Sequence, residues 1–174
     1  MRDDRDLAAV RRIAAAHRVD TTKYKPLVAV ESPLRGRVPR WVPTALAPTV
    51  EYLGRLRNKR YAVLCMRDSL ARGEAPYASH LLLDQHGLLD DAQPDERVLG
   101  MSVGQAWTSQ ASVLALYCDY GISDGMLASA LGARADQRLD FRMLYPFNDP
   151  RVVKQVKQLQ ERIHQARGTQ QAKA

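Results

Sequence analysis

Five places along the chain bring together residue types that could do chemistry. The first is Glu31-Ser32-Pro33-Leu34-Arg35-Gly36. Here a carboxylate and a hydroxyl can handle sugar hydroxyls, an arginine can grip a phosphate with two parallel bonds, and a glycine lets the backbone approach a ligand closely. The competing reading is a turn that carries a surface glutamate. The second is His80, a candidate general acid or nucleobase-edge contact, against the commoner role of a structural hydrogen-bonder. The third is Asp95-Glu96-Arg97, where Glu96 and Arg97 are either ligand contacts or a helix N-terminus with an intrahelical ion pair. The fourth is Asp119. The fifth is Ser123-Asp124-Gly125-Met126, where free N–H groups at a helix start would receive a phosphate, or Asp124 a hydroxyl. Asp124 as a plain N-cap competes with that. His17, His86 and His164 are dispersed, and Cys65 and Cys118 are too few and too scattered for thiolate ligation. Neither a metal nor an organic cofactor is expected.

These residues need a scaffold, and the apolar pattern supplies one. Leu27–Glu31 and Ser112–Tyr117 are short, nearly continuous apolar runs, the mark of strands buried on both faces. Ala75–Ser79 and Leu139–Tyr145 read as two more strands. Between them the pattern predicts one helix from near Pro48 and another from near Asn58 to Arg72, stopped by Gly73. Further helices are predicted over Asp95–Ser109, Met126–Leu131 and Asp149 to about Gln165, with a loop over residues 84–94. Strands alternating with helices indicate a doubly wound, Rossmann-like parallel α/β sheet of about four or five strands. Its ligand site belongs beyond the carboxyl ends of the strands, where all five candidates lie. An additional amphipathic helix is expected over residues 4–18, from Leu7, Val10, Ile13 and Ala14. The division is therefore an extension over 1–24, an α/β domain over 25–167 and a polar, frayed tail over 168–174. Residues 37–48, with Pro39, Trp41, Pro43 and Pro48, read as a long binding loop or lid.

The length of 174 residues suits one domain with modest extras, and 45% hydrophobic with 26% charged residues excludes disorder throughout. The net charge of +7 is unevenly placed. Arg35, Arg37, Arg40, Arg55, Arg57, Lys59, Arg60, Arg67 and Arg72 face only Glu51 and Asp68 in that stretch, and the rest of the chain balances. Such an excess favours an anionic partner, a phosphorylated small molecule or a nucleic acid; a solvated arginine-rich face is the equally weighted competing reading. No apolar run reaches the roughly 18 residues that a membrane helix needs, and no basic-then-apolar leader opens the sequence. A cytoplasmic protein without membrane contact is expected.

The candidate residues also form an ordered set. Glu31-Ser32-Pro33-Leu34-Arg35-Gly36 is followed by Asn58 with Ala62, by Gly73-x-x-Pro76-x-x-Ser79-His80-Leu81, by Glu96-Arg97-x-x-Gly100 and by Ile122-Ser123-Asp124-Gly125-Met126. Over about residues 27–145 this set resembles a group of small phage and bacterial proteins similar to the nucleoside 2-deoxyribosyltransferases. The resemblance implies a flavodoxin-like sheet and a site for a nucleoside or nucleotide. It also implies cleavage or transfer at the N-glycosidic bond, and an oligomer in which a neighbouring subunit completes the site. Ser32, Arg35, Gly36, Asn58, His80, Glu96, Arg97, Ser123, Gly125, Met126 and Ser129 would then contact the substrate. The family's nucleophilic glutamate, three residues beyond the Met of the Gly-Met turn, falls here on Ser129, whose hydroxyl cannot supply the negative charge. Glu31, Asp119 and Asp124 are the carboxylates that could substitute. Glu31 is the foremost of them, because the group usually has a small or neutral residue there. The alternatives are a non-catalytic nucleotide-binding protein and a nucleic-acid-binding accessory protein using the arginines from 35 to 72 with Trp41.

Overall fold

The computed structural model describes residues 25–36, 38–85, 88–145 and 149–171. The expected helix over 4–18, Arg37, His86 and residues 172–174 lie outside them. Four parallel strands form one sheet: β1 (Leu27–Glu31), β2 (Ala75–Tyr77), β3 (Val113–Tyr117) and β4 (Arg138–Arg142), in the order β2-β1-β3-β4. This is the doubly wound α/β fold, with the strand order reversing between β1 and β3. Val28 stands opposite both Pro76 and Val113, and Leu116 opposite both Glu31 and Phe141.

The helices are α1 (Ala47–Ala71), α2 (Ser79–Leu83), α3 (Pro94–Thr108), α4 (Asp124–Leu131) and α5 (Pro150–Gln171). Because side chains alternate along a strand, β1 and β3 feed two cores. Ala29, Leu114 and Leu116 meet Met126 and Ala130 of α4 and Val152, Leu159 and Ile163 of α5. Val28, Val30, Val113, Ala115 and Tyr117 meet Tyr61 and Cys65 of α1 on the other face. All five residues of β3 are buried, as its continuous apolar run requires.

Several boundaries differ from expectation for identifiable reasons. The two helices expected on either side of Asn58 are one, α1, because the Asn58 side chain does not cap a helix start. Its Nδ2 instead donates to the carbonyls of Leu34 and Arg35, at 3.3 and 2.8 Å. α1 does end where Gly73 predicts, with Gly73 at φ 77° and the Glu74 N–H bonded to the Ser69 carbonyl. β2 stops at Tyr77 because Ser79 already opens α2. β4 stops at Arg142 rather than Tyr145, because the N–H groups of Leu144 and Tyr145 leave the ladder to bond the Asp119 carboxylate. α4 begins at Asp124 with Ser123 as its cap, the Met126 N–H donating to the Ser123 hydroxyl at 3.3 Å. α5 continues past residue 168, expected as frayed tail, to Gln171.

Candidate functional site

At the carboxyl ends of the strands lies a cavity of about 500 Å³. Its walls come from the segment after β1, from α2 and α3, and from the β3–α4 connection with the first turns of α4. Glu31, Ser32, Arg35, Gly36, Asn58, His80, Glu96, Arg97, Ser123, Asp124, Gly125 and Ser129 all line it. Residues spread over some 100 positions of sequence thus share one space, as the topology of a doubly wound sheet brings about.

Glu31 is the last residue of β1 and follows the alternation that sends Ala29 into the α4/α5 core. Its carboxylate therefore emerges just above that core and meets α4, where the Ser129 hydroxyl donates to Oε1 at 3.2 Å. The side chain stays partly open to the cavity, yet protein surrounds it closely. Burial pushes its pKa up from the usual carboxyl range to about 7, and the Ser129 hydrogen bond only partly counters this. No cation within the described residues pairs with it.

Ser32 is buried, and its hydroxyl lies 3.0 Å from His80 Nε2 at the start of α2. Burial lowers the His80 pKa to about 4, against the opposing pull of Asp84, so the ring is neutral at physiological pH. Its Nδ1 is buried without a partner among the described residues. A neutral imidazole in this state offers one ring nitrogen to a ligand while the serine holds the other.

The mouth carries the positive charge. Arg35 Nε donates to Asp91 Oδ2 at 2.7 Å, and Arg97 Nη1 to both oxygens of the same carboxylate at 2.8 and 3.0 Å. Two guanidinium groups, one from the β1 loop and one from α3, converge on a single planar anion. Glu96 is not paired with Arg97, as an intrahelical ion pair would require. Its Oε2 accepts the Asp90 N–H at 2.7 Å, so Glu96 and Arg97 together tie the loop before α3 to the rim. Gly36 is there for close packing, because a Cβ on it would sit 2.2 Å from the Glu51 carbonyl oxygen.

Three sequence candidates have other roles. Asp119 does not line the cavity: it accepts from the Tyr61 hydroxyl and from the N–H groups of Leu144 and Tyr145, fixing the chain after β4. Met126 is fully buried between α4 and the sheet, on the inward face of its helix. Asn58 reaches the wall, but its amide is occupied by the carbonyls of Leu34 and Arg35 and by Arg57, whose Nη2 donates to Oδ1 at 3.0 Å. It shapes the β1 loop rather than offering free donors. Conversely Glu51, Tyr120 and Asp91 line the cavity, although the sequence reading marks none of them as a site residue. Only the spacing of Tyr120 directly after β3 could have indicated one of them.

Among the described residues, four of the nine basic residues of this stretch are ion-paired. Arg35 pairs with Asp91, Arg55 and Lys59 with Asp84, and Arg72 with Asp68. Arg57 lies over the Tyr120 ring, 4.3 Å from its centre. Trp41 is 82% exposed, in the loop segment just before the 3-10 turn over Thr44–Leu46. Among the described residues no group of three His, Cys, Asp or Glu side chains comes together to hold a metal ion. None of their helices is long and apolar enough to cross a membrane.

Comparison with known proteins returns one family. No curated protein and no solved structure matches the chain. A family defined as a domain of unknown function, DUF7768, matches residues 26–140, which run from the start of β1 through the middle of β4 and include every residue named above as lining the cavity. With two thirds of its length inside that match, the chain belongs to the DUF7768 family.

Proposed function

We propose that this protein cleaves the N-glycosidic bond of a nucleoside or nucleotide, with Glu31 as the reacting carboxylate. The observation that carries the reading is the Glu31 carboxylate itself. It sits in the cavity at the switch point, without a cationic partner among the described residues, with the Ser129 hydroxyl 3.2 Å away. In the resembling transferases a carboxylate on the helix supplies the negative charge. Here that position is Ser129, and a carboxylate from the adjacent strand end reaches the same place.

The chemistry follows from the bond. When the C–N bond at the anomeric carbon breaks, its electron pair leaves with the base and the sugar carbon becomes cation-like. The Glu31 carboxylate forms a bond to that carbon, giving a glycosyl ester. Water then attacks the same carbon, losing its proton, and the ester bond breaks to return Glu31 and a free sugar. A second nucleobase attacking in place of water would give transfer. The departing base takes up a proton, and Asp124 on the α4 side of the mouth is a carboxyl group available to relay it. A carboxyl group with its pKa near 7 is more basic, and so more nucleophilic, than a solvated one. Neutral His80 has Nδ1 available for a base edge. Arg35 and Arg97, which already clasp one carboxylate, suit a 5′-phosphate.

The test is incubation with nucleosides and deoxynucleoside 5′-monophosphates, read by mass spectrometry. Release of free base, or exchange of bases between sugars, is expected, and Glu31→Gln should lower it at least about 1000-fold with an unchanged circular dichroism spectrum. An intact pool, or full activity in Glu31→Gln, would contradict the reading. Ser129 favours one other reading, a protein that captures a nucleotide without turnover. An intact pool with one compound retained on the protein would support it.

A further inference from the structure

α1 has two apolar faces. Tyr61, Ala62 and Cys65 are buried against the sheet, whereas Leu53, Leu56, Val63, Leu64 and Leu70 on the opposite side are between 38% and 57% exposed. Positions 53, 56, 60, 63, 67 and 70 alternate in steps of three and four, the spacing by which a helix presents a straight seam to another helix. Arg60 and Arg67 fill the two places that are not apolar, and no carboxylate stands on the seam. A 25-residue helix of about 37 Å that leaves such a seam open on a folded domain is built to be covered.

We propose that α1 pairs, antiparallel, with α1 of a second copy of this chain. A two-fold interface uses one patch twice, so the patch must match its own reversal. The seam does. Reversed on itself it sets Leu53 against Leu70, Leu56 against Arg67, and Arg60 against Val63. At every level at least one side chain is aliphatic, and no level sets two arginines against each other. The arginine stems cover the apolar partner while their guanidinium groups reach water. This register uses all six seam levels. None of the seam residues lines the cavity, so the pairing stands independently of the proposed reaction.

Sedimentation of the full chain from about 1 to 100 μM should show a dimer, and Val63→Arg, which sets two guanidinium groups against each other at both central levels of the seam, should weaken it about 100-fold. Val63 is half exposed in the protomer, so the variant should keep its circular dichroism spectrum. The register is read by cross-linking, because both native cysteines are buried. A mixture of Leu53→Cys and Leu70→Cys chains should form the mixed disulfide. Leu53→Cys alone should not, its two sulfurs lying about 25 Å apart along the axis. A monomer at every concentration would overturn the pairing and leave the seam to residues 1–24 or to another protein. A dimer that survives Val63→Arg, or that cross-links only like to like, would overturn this seam.

Discussion

Two glutamates sit at strand ends of the sheet, both largely enclosed by protein and in opposite electrostatic states. Glu74 precedes β2 and receives both Nη atoms of Arg142, at 2.7 and 2.6 Å, and the Ser69 hydroxyl at 2.6 Å. Burial alone would raise its pKa, but these bonds outweigh burial and hold the carboxyl below its usual range. Arg142 is tied in turn to the Tyr117 hydroxyl and to Asp140, and Tyr117 donates to Asp68 at 2.7 Å. Glu31, at the end of β1, has among the described residues one hydroxyl and no cation, and burial raises it to about 7. The fold thus compensates one buried charge fully and leaves the other almost uncompensated. The first arrangement links α1, β2, β3 and β4. The second stores no stability and is explicable as a group held ready for a ligand.

The difference can be broken from either side. Glu74→Gln takes from buried Arg142 the carboxylate that grips both its Nη atoms, leaving the more exposed Asp140 as its counter-charge, and should destabilise the protein by about 3 kcal/mol in a denaturant titration. A loss below about 1 kcal/mol would mean that the network is not what holds β4 to α1. Glu31→Gln should act in the opposite direction. A carboxyl whose folded pKa lies above its unfolded value costs stability as pH rises from about 4.5 to 7, and the cost is full above that. The glutamine variant should therefore be more stable than the native chain by about 2–3 kcal/mol at pH 8 and equal to it below pH 4. A pH-independent difference would contradict the account. Ser129→Ala removes the one bond that favours the charged form, so the Glu31 pKa should rise by about one further unit, visible as a shifted acid limb in a pH–rate profile. Tyr117→Phe gives the smallest effect. Loss of its hydroxyl from an otherwise intact network should cost about 1 kcal/mol in thermal unfolding and leave the Glu31 titration where it was.

Much of this arrangement was legible in the residues, and what was not has a common cause. β1 and β3 were evident because a strand buried on both faces has no polar residue to hide. That made the candidate positions follow, since in a parallel sheet they must lie just past the strand ends. Glu31 could be singled out because a carboxylate directly after a continuous apolar run is out of pattern. Its contact with Ser129, 98 residues away, depends on how α4 crosses the sheet, which no local spacing encodes. The same holds for Asp119. Its position after β3 looked like that of a reactive carboxylate, but its partners are backbone N–H groups 25 residues later. Asn58 misled for a related reason: asparagine caps helix starts and also binds loop carbonyls, and only the packing of the β1 loop on α1 decides between them. The outer seam of α1 is invisible to an amphipathicity search because the inner face is apolar as well.

Glu31, unlike Glu74, is a carboxyl group enclosed by protein and, among the described residues, kept without a counter-charge. Infrared difference titration of the carboxyl stretch, comparing the native chain with Glu31→Gln, tests this most directly. The account predicts that the band lost in the variant titrates near pH 7. A band that titrates at about 4.5, like a solvated glutamate, would contradict it.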